Sequence, residues 1–70
     1  MGETMMLGLR LNEGIHLESF NQRFGQDLRQ VYTEELEDLT NLGLLHYYEE
    51  SLKLTDKGRL LGNEVFARFL

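Results

Sequence analysis

Cysteine and proline are both absent from this chain, and basic residues are scarce beside acidic ones. Without cysteine the segment can form no disulfide, no thiolate zinc site and no thiolate-held iron–sulfur cluster. Small secreted domains ordinarily rely on such staples, so a cysteine-free chain of this size points to the cytoplasm. Without proline the helices can run unbroken, and the seven glycines become the main punctuation. No apolar run approaches the ~20 residues of a membrane span, so no membrane partner is expected. Met1–Leu11 also lacks the basic flank of a signal peptide. Twelve acidic side chains against seven basic ones leave a net charge of −5. That field repels phosphate backbones and counts against a nucleic-acid partner.

What is present suits one small folded domain over residues 1–70, with Met1-Gly2 reading as a cloning start. Apolar residues make up 41% and charged residues 27%, values that argue against disorder. A chain this short buries only about 60% of its unfolded surface, which leaves little room for an enclosed substrate cavity. Thr4–Leu11 is helical, but its apolar residues do not keep to one stripe. Such a helix is covered on more than one side. One side goes to the core; the other meets either a partner outside the segment or the end of the last helix. Asn12-Glu13-Gly14 is a turn signal and Ile15 begins a strand of one or two residues. Leu17–Phe24 follows as a short helix with Leu17, Phe20 and Phe24 on one face, ended by Gly25.

From Asp27 to Leu42 apolar residues recur at spacings of three and four, which predicts one helix stopped by Gly43. Asp27 sits in its first turn, and β-branched Thr33 loosens its middle. Leu44–Tyr48 and Leu52–Leu54 form a hairpin across Glu49-Glu50-Ser51, with one of Tyr47 and Tyr48 expected inward and the other outward. Thr55 N-caps the last helix, whose stripe is Leu61, Val65 and Phe69, widened by Leu60, Phe66 and Leu70. Gly58 and Gly62 either admit a close backbone approach or each cost that helix ~1 kcal/mol. The expected fold is α+β and winged-helix-like, with about four helices and a small antiparallel β-hairpin as the wing. Its core would draw on Leu9, Ile15, Phe20, Phe24, Leu28, Tyr32, Leu36, Leu39, Leu44, Leu54, Leu61 and Val65.

A winged helix raises the question of DNA. The recognition-helix position, Asp27–Leu42, carries five carboxylates against one arginine, and the wing tip is Glu49-Glu50. Phosphate and base contacts need Arg, Lys, Asn or Gln instead; Gln26, Arg29 and Gln30 near the helix start, with Lys53, Lys57 and Arg59, are too few for a footprint. No catalysis is expected of the segment alone. His16 and His46 have no histidine partner at helical spacing, and Ser19 and Ser51 lie in no nucleophile elbow. The glycines form no phosphate-binding run. No catalytic, cofactor-binding or metal-ligating residue is assigned.

The string Glu3-Thr4-Met5-Met6-Leu7-Gly8-Leu9-Arg10-Leu11, followed by Glu13-Gly14-Ile15, resembles the opening of the C-terminal domain of the oxygen-independent coproporphyrinogen III oxidase-like radical-SAM family. The likeness continues through Phe20, Phe24-Gly25, Leu36, Gly43-Leu44-Leu45, Leu52–Gly58 and Asn63–Phe66. One departure is His16, where the family often has Asp, a better cap for the second helix. The resemblance implies a parent that binds a [4Fe–4S] cluster and S-adenosylmethionine in an N-terminal barrel. That parent would act either as an oxidase of haem biosynthesis or as a haem chaperone. The segment would then be an accessory domain packing beside the barrel of the same chain, with porphyrin or haem contact only in the full-length protein. Excess apolar surface at both chain ends places the interdomain contact at Met5, Met6, Leu7, Arg10, Phe66, Phe69 and Leu70. The alternative is a free-standing winged-helix module that binds a protein partner or, less favoured, DNA. Titration with duplex DNA at low ionic strength is expected to give no complex; a salt-sensitive one would overturn the electrostatic reading.

Overall fold

The computed structural model describes residues 2–70; Met1, half of the expected cloning start, lies outside them. Along the described chain run α1 (Gly2–Arg10), β1 (Ile15–His16), α2 (Leu17–Phe24), α3 (Leu28–Val31), α4 (Thr33–Asn41), β2 (Leu45–Tyr48), β3 (Ser51–Leu54), α5 (Asp56–Leu60) and α6 (Gly62–Ala67). The class is α+β, as expected. Among the described residues there are six helices rather than about four, because two of the expected helices are each interrupted once.

The interruptions have local causes. Asp27 stands at the N-cap of α3, accepting from the Arg29 backbone N–H at 2.8 Å. One turn later Tyr32 leaves the helical region, with φ −116° and ψ 37°. Beside it, the Thr33 hydroxyl donates to the carbonyls of Arg29 and Gln30 at 2.9 and 3.0 Å. Such back-bonding weakens and bends a helix. Thr40 bonds the Leu36 and Glu37 carbonyls in the same way without a break in α4, so the interruption also needs the non-helical backbone of Tyr32. The Leu36 N–H then returns to the Tyr32 carbonyl at 2.9 Å, and α4 proceeds. Leu61 repeats the deviation, with φ −109° and ψ 31°, and glycine follows it.

The strands form one antiparallel sheet in the order β1-β3-β2, with Ile15 opposite Leu52 and Tyr47 opposite Leu52 from the other side. The hairpin turn is two residues rather than three, and Ser51 belongs to β3. Glu49 and Glu50 both take positive φ, 48° and 63°, the pair of left-handed residues that suits a tight hairpin. The Glu50 carbonyl accepts the Leu17 N–H at 3.0 Å. It serves the start of α2, where the His16 side chain makes no capping bond. Neither adjacent tyrosine turns fully inward: Tyr47 shares the face of Leu52 but is 44% exposed, and Tyr48 on the opposite face is 55% exposed. The Lys53 ammonium lies 5.0 Å from the Tyr48 ring and holds it on the outer face.

Met5, Leu9, Leu28, Leu39, Leu52 and Val65 are completely buried. Of the expected core, Phe24 and Tyr32 are half-buried, and Leu61 is exposed because the break at its own position swings it outward. Leu60 and Leu70, expected to widen the core stripe, are 86% and 91% exposed. Met5, Leu45, Leu52 and Phe69 fill the places they leave. The Phe69 ring meets the Tyr32 ring edge-on at 5.1 Å. Beside it, Arg68 pairs with Asp38 at 3.0 Å and fastens the C-terminal turn to α4.

The end of α4 is joined to the start of α5 by a dense set of bonds. The Thr55 N–H donates to the Leu44 carbonyl at 3.0 Å, its hydroxyl donates to the Gly43 carbonyl, and Lys57 Nζ reaches the Leu42 carbonyl at 3.2 Å. The same hydroxyl accepts the Gly58 N–H at 3.0 Å. Gly58 lies so close to the Leu44 carbonyl that a Cβ would collide with backbone. Gly58→Ala is therefore expected to destabilise by about 1–3 kcal/mol, seen as a fall in Tm of roughly 4–8 °C per kcal/mol. Replacing Glu49-Glu50 by Asn-Gly relieves two left-handed side-chain conformers and is expected to raise stability by about 1 kcal/mol in urea denaturation.

Candidate docking surface

The helix α1 presents two unlike faces. Met5 and Leu9, four residues apart, are completely buried. Around the helix from them, Leu7 is 55% and Leu11 59% exposed. The cause is in the sequence: apolar residues at 5, 6, 7, 9 and 11 outnumber what one buried stripe can take. Leu7 is the centre of the uncovered side. On one flank lies an open groove of about 460 Å³ lined by Met6, Leu7, Arg10, Phe69 and Leu70, with Gly2 and Glu3 at its end. On the other flank a hollow of about 590 Å³ is lined by Glu3, Thr4, Leu7, Gly8, Leu11 and Arg23. Glu3 and Leu7 belong to both, so the two depressions are one surface.

The expected contact residues divide on this geometry. Met6, Leu7, Arg10 and Leu70 lie on the groove. Met5 is buried and Phe69 is only 4% exposed, so both belong chiefly to the domain's own core. The crossing of α1 over β1 and β3, together with the Tyr32 contact, draws them inward. Phe66 is half-buried and lies under the Arg10 guanidinium at 4.8 Å from its ring centre. Arg23 repeats this at 5.2 Å from the Phe24 ring. Leu11 and Arg23 were not among the expected residues. A helical wheel places Leu11 beside Leu7, but Arg23 comes from α2, which no spacing in the sequence brings to α1.

Other polar groups stand apart. His16 and His46 are both exposed, and among the described residues no set of three metal-binding side chains converges. No helix among them is long and apolar enough to cross a membrane. Arg29, on the expected recognition helix, is already occupied: its Nε and Nη2 donate to the Asp27 carboxylate at 3.0 and 2.7 Å. That bond, then the Arg29 backbone N–H, holds the Asp27 carboxyl below the usual carboxylate range. Burial pushes the Tyr47 hydroxyl upward, with nearby Arg29 opposing the shift.

The family described as HemN C-terminal domain matches residues 1–61 of this chain. A protein of Bacillus subtilis (strain 168) named "Heme chaperone HemW" is 43% identical over 68 residues, covering 97% of this chain and 18% of its own length. A protein of the same name from Lactococcus lactis subsp. lactis (strain IL1403) is 40% identical over 68 residues, again 97% of this chain and 18% of its own. The chain thus spans under a fifth of the length of these relatives. No solved structure matches it.

The Asp27 carboxyl yields a pH prediction. Its ionised form is favoured by folding, so its contribution is full above the unfolded carboxylate range and is lost as pH falls through the folded value. Asp27→Asn is expected to lower thermal stability near neutral pH, and the gap from the unsubstituted chain is expected to close as pH falls through and below the usual carboxylate range. A gap that stays constant across that range would remove the assignment.

Proposed function

The chain belongs to the HemN C-terminal domain family, and from that premise we propose that it acts as the accessory C-terminal domain of a longer, haem-handling radical-SAM protein. It does so by docking on the polypeptide that precedes it. The observation that carries the reading is the surface around the uncovered side of α1, where Leu7, Leu11 and Leu70 stand 55%, 59% and 91% exposed across the two adjoining depressions. A contiguous apolar surface of that kind marks a contact site. The relatives supply the length of chain that would cover it. In a C-terminal domain, α1 is the element nearest the preceding domain, so the contact needs no long connection.

Within this reading the domain is a winged helix turned from nucleic acid to protein contact. The pair formed by α2 and α3–α4, with the hairpin as wing, supplies a rigid scaffold. Its acidic α4 and its Asp27-bound Arg29 disfavour phosphate. The parent's [4Fe–4S] cluster and S-adenosylmethionine do not fit this segment, which offers no cysteine thiolate. Both belong to the preceding barrel, and any porphyrin or haem contact belongs to the assembled protein. The names of the two relatives favour the haem-chaperone branch over the oxidase. A cytoplasmic location agrees with the absence of cysteine.

Hydroxyl-radical footprinting tests the docking. Oxidation of Met6, Leu7, Leu11 and Leu70 is compared between the intact parent and the 70-residue chain, the latter first checked for native circular dichroism. Protection of about tenfold at Leu7 and Leu11 is expected in the parent, as for residues sealed into a desolvated contact. Equal rates would remove the reading.

A further inference from the structure

The uncovered side of α1 has a polarity opposite to that of the chain as a whole. The protein carries a net charge of −5. Yet the charged side chains lining the two depressions are Arg10, Arg23 and Glu3, two cations to one anion. Both arginines are exposed, and neither pairs with a carboxylate; the ion pairs among the described residues are Arg29–Asp27 and Arg68–Asp38. Each lies instead over a half-buried phenylalanine, Arg10 at 4.8 Å from the Phe66 ring and Arg23 at 5.2 Å from the Phe24 ring. A guanidinium held over an aromatic face is partly ordered there, leaves N–H donors free of any carboxylate, and loses less freedom when it meets an acceptor. The cations flank the exposed leucines on opposite sides of the surface, one at the groove and one at the hollow.

From this arrangement we infer that Arg10 and Arg23 are paired ion-pairing anchors, and that the covering surface is apolar at its centre with a carboxylate at each side. The occupant is the preceding domain of the same parent chain, so the inference rests on the docking reading and adds to it the chemistry of the facing surface. Leu7 and Leu11 supply the desolvated centre in which a charge-assisted bond at the rim gains strength. The two arginines set the register, since a guanidinium accepts a carboxylate in a fixed planar geometry that an ammonium does not reproduce. Elsewhere the net acidic surface repels an acidic partner, which disfavours other orientations.

Arginine-selective dicarbonyl labelling of the intact parent and of the 70-residue chain, run beside the leucine footprint, tests this. Arg59, exposed and outside the lining of both depressions, serves as the internal reference. Labelling of Arg10 and Arg23 relative to Arg59 is expected to be about tenfold slower in the parent than in the isolated chain, on the scale of one charge-assisted bond. Arg10→Gln and Arg23→Gln in the parent are each expected to raise Leu7 oxidation, while Arg59→Gln leaves it unchanged. Leucine protection with unprotected arginines would overturn this inference and leave the docking intact. Absence of leucine protection would overturn both. Protected arginines whose replacement by Gln leaves the Leu7 footprint unmoved would also overturn it, since they would then be covered without anchoring.

Discussion

The fold turns on the contact between Gly58 and the Leu44 carbonyl. At that point the chain leaving α4 and the chain entering α5 touch backbone to backbone, and three successive carbonyls, of Leu42, Gly43 and Leu44, are taken by Thr55 and Lys57. Carbonyls at a helix end are otherwise left to water. Because they are satisfied by the far side of the hairpin, β2 and β3 start and finish at one place and their register follows. With β3 fixed, β1 has an edge to pair with, and α1 and α2 have a sheet to lie on. The segment Leu54–Gly58 therefore serves two needs at once: Thr55 caps a helix and clamps a hairpin, and Gly58 leaves room for the clamp to close.

Much of this was legible in the sequence. Gly25 and Gly43 end helices where their spacing says they should, both at positive φ. Thr55 caps as read, and the strand at Ile15 forms. What escaped were features set by competition rather than by pattern. The apolar period through Asp27–Leu42 is continuous; the β-branch of Thr33 marks a weak middle, but nothing in the pattern shows that the chain leaves helical geometry outright at Tyr32. The period through Leu60–Leu70 likewise passes over the break at Leu61. The alternation at Tyr47-Tyr48 is real, but the inward side of an edge strand near its turn has little core beneath it.

The candidate surface was legible in outline for the same reason it exists. An excess of apolar residues on α1 can be counted from the sequence, and Leu7 stands out by that count. Which of them the core would claim could not be counted, because Met5 and Phe69 are drawn in by Tyr32 and by the sheet, elements distant along the chain. Arg23 is the clearest case. Its place beside α1 follows from how α2 packs, and α2 is positioned by the Glu50 carbonyl across the hairpin turn rather than by its own cap. Residues that arrive by tertiary packing carry no local signature.

The two ends of the described chain meet: Gly2 lies so near the Phe69 carbonyl that no side chain would fit between them. Whatever is attached at either end therefore reaches the fold on a single side. A body fastened at that spot joins the fold without the core or the sheet having to open for it.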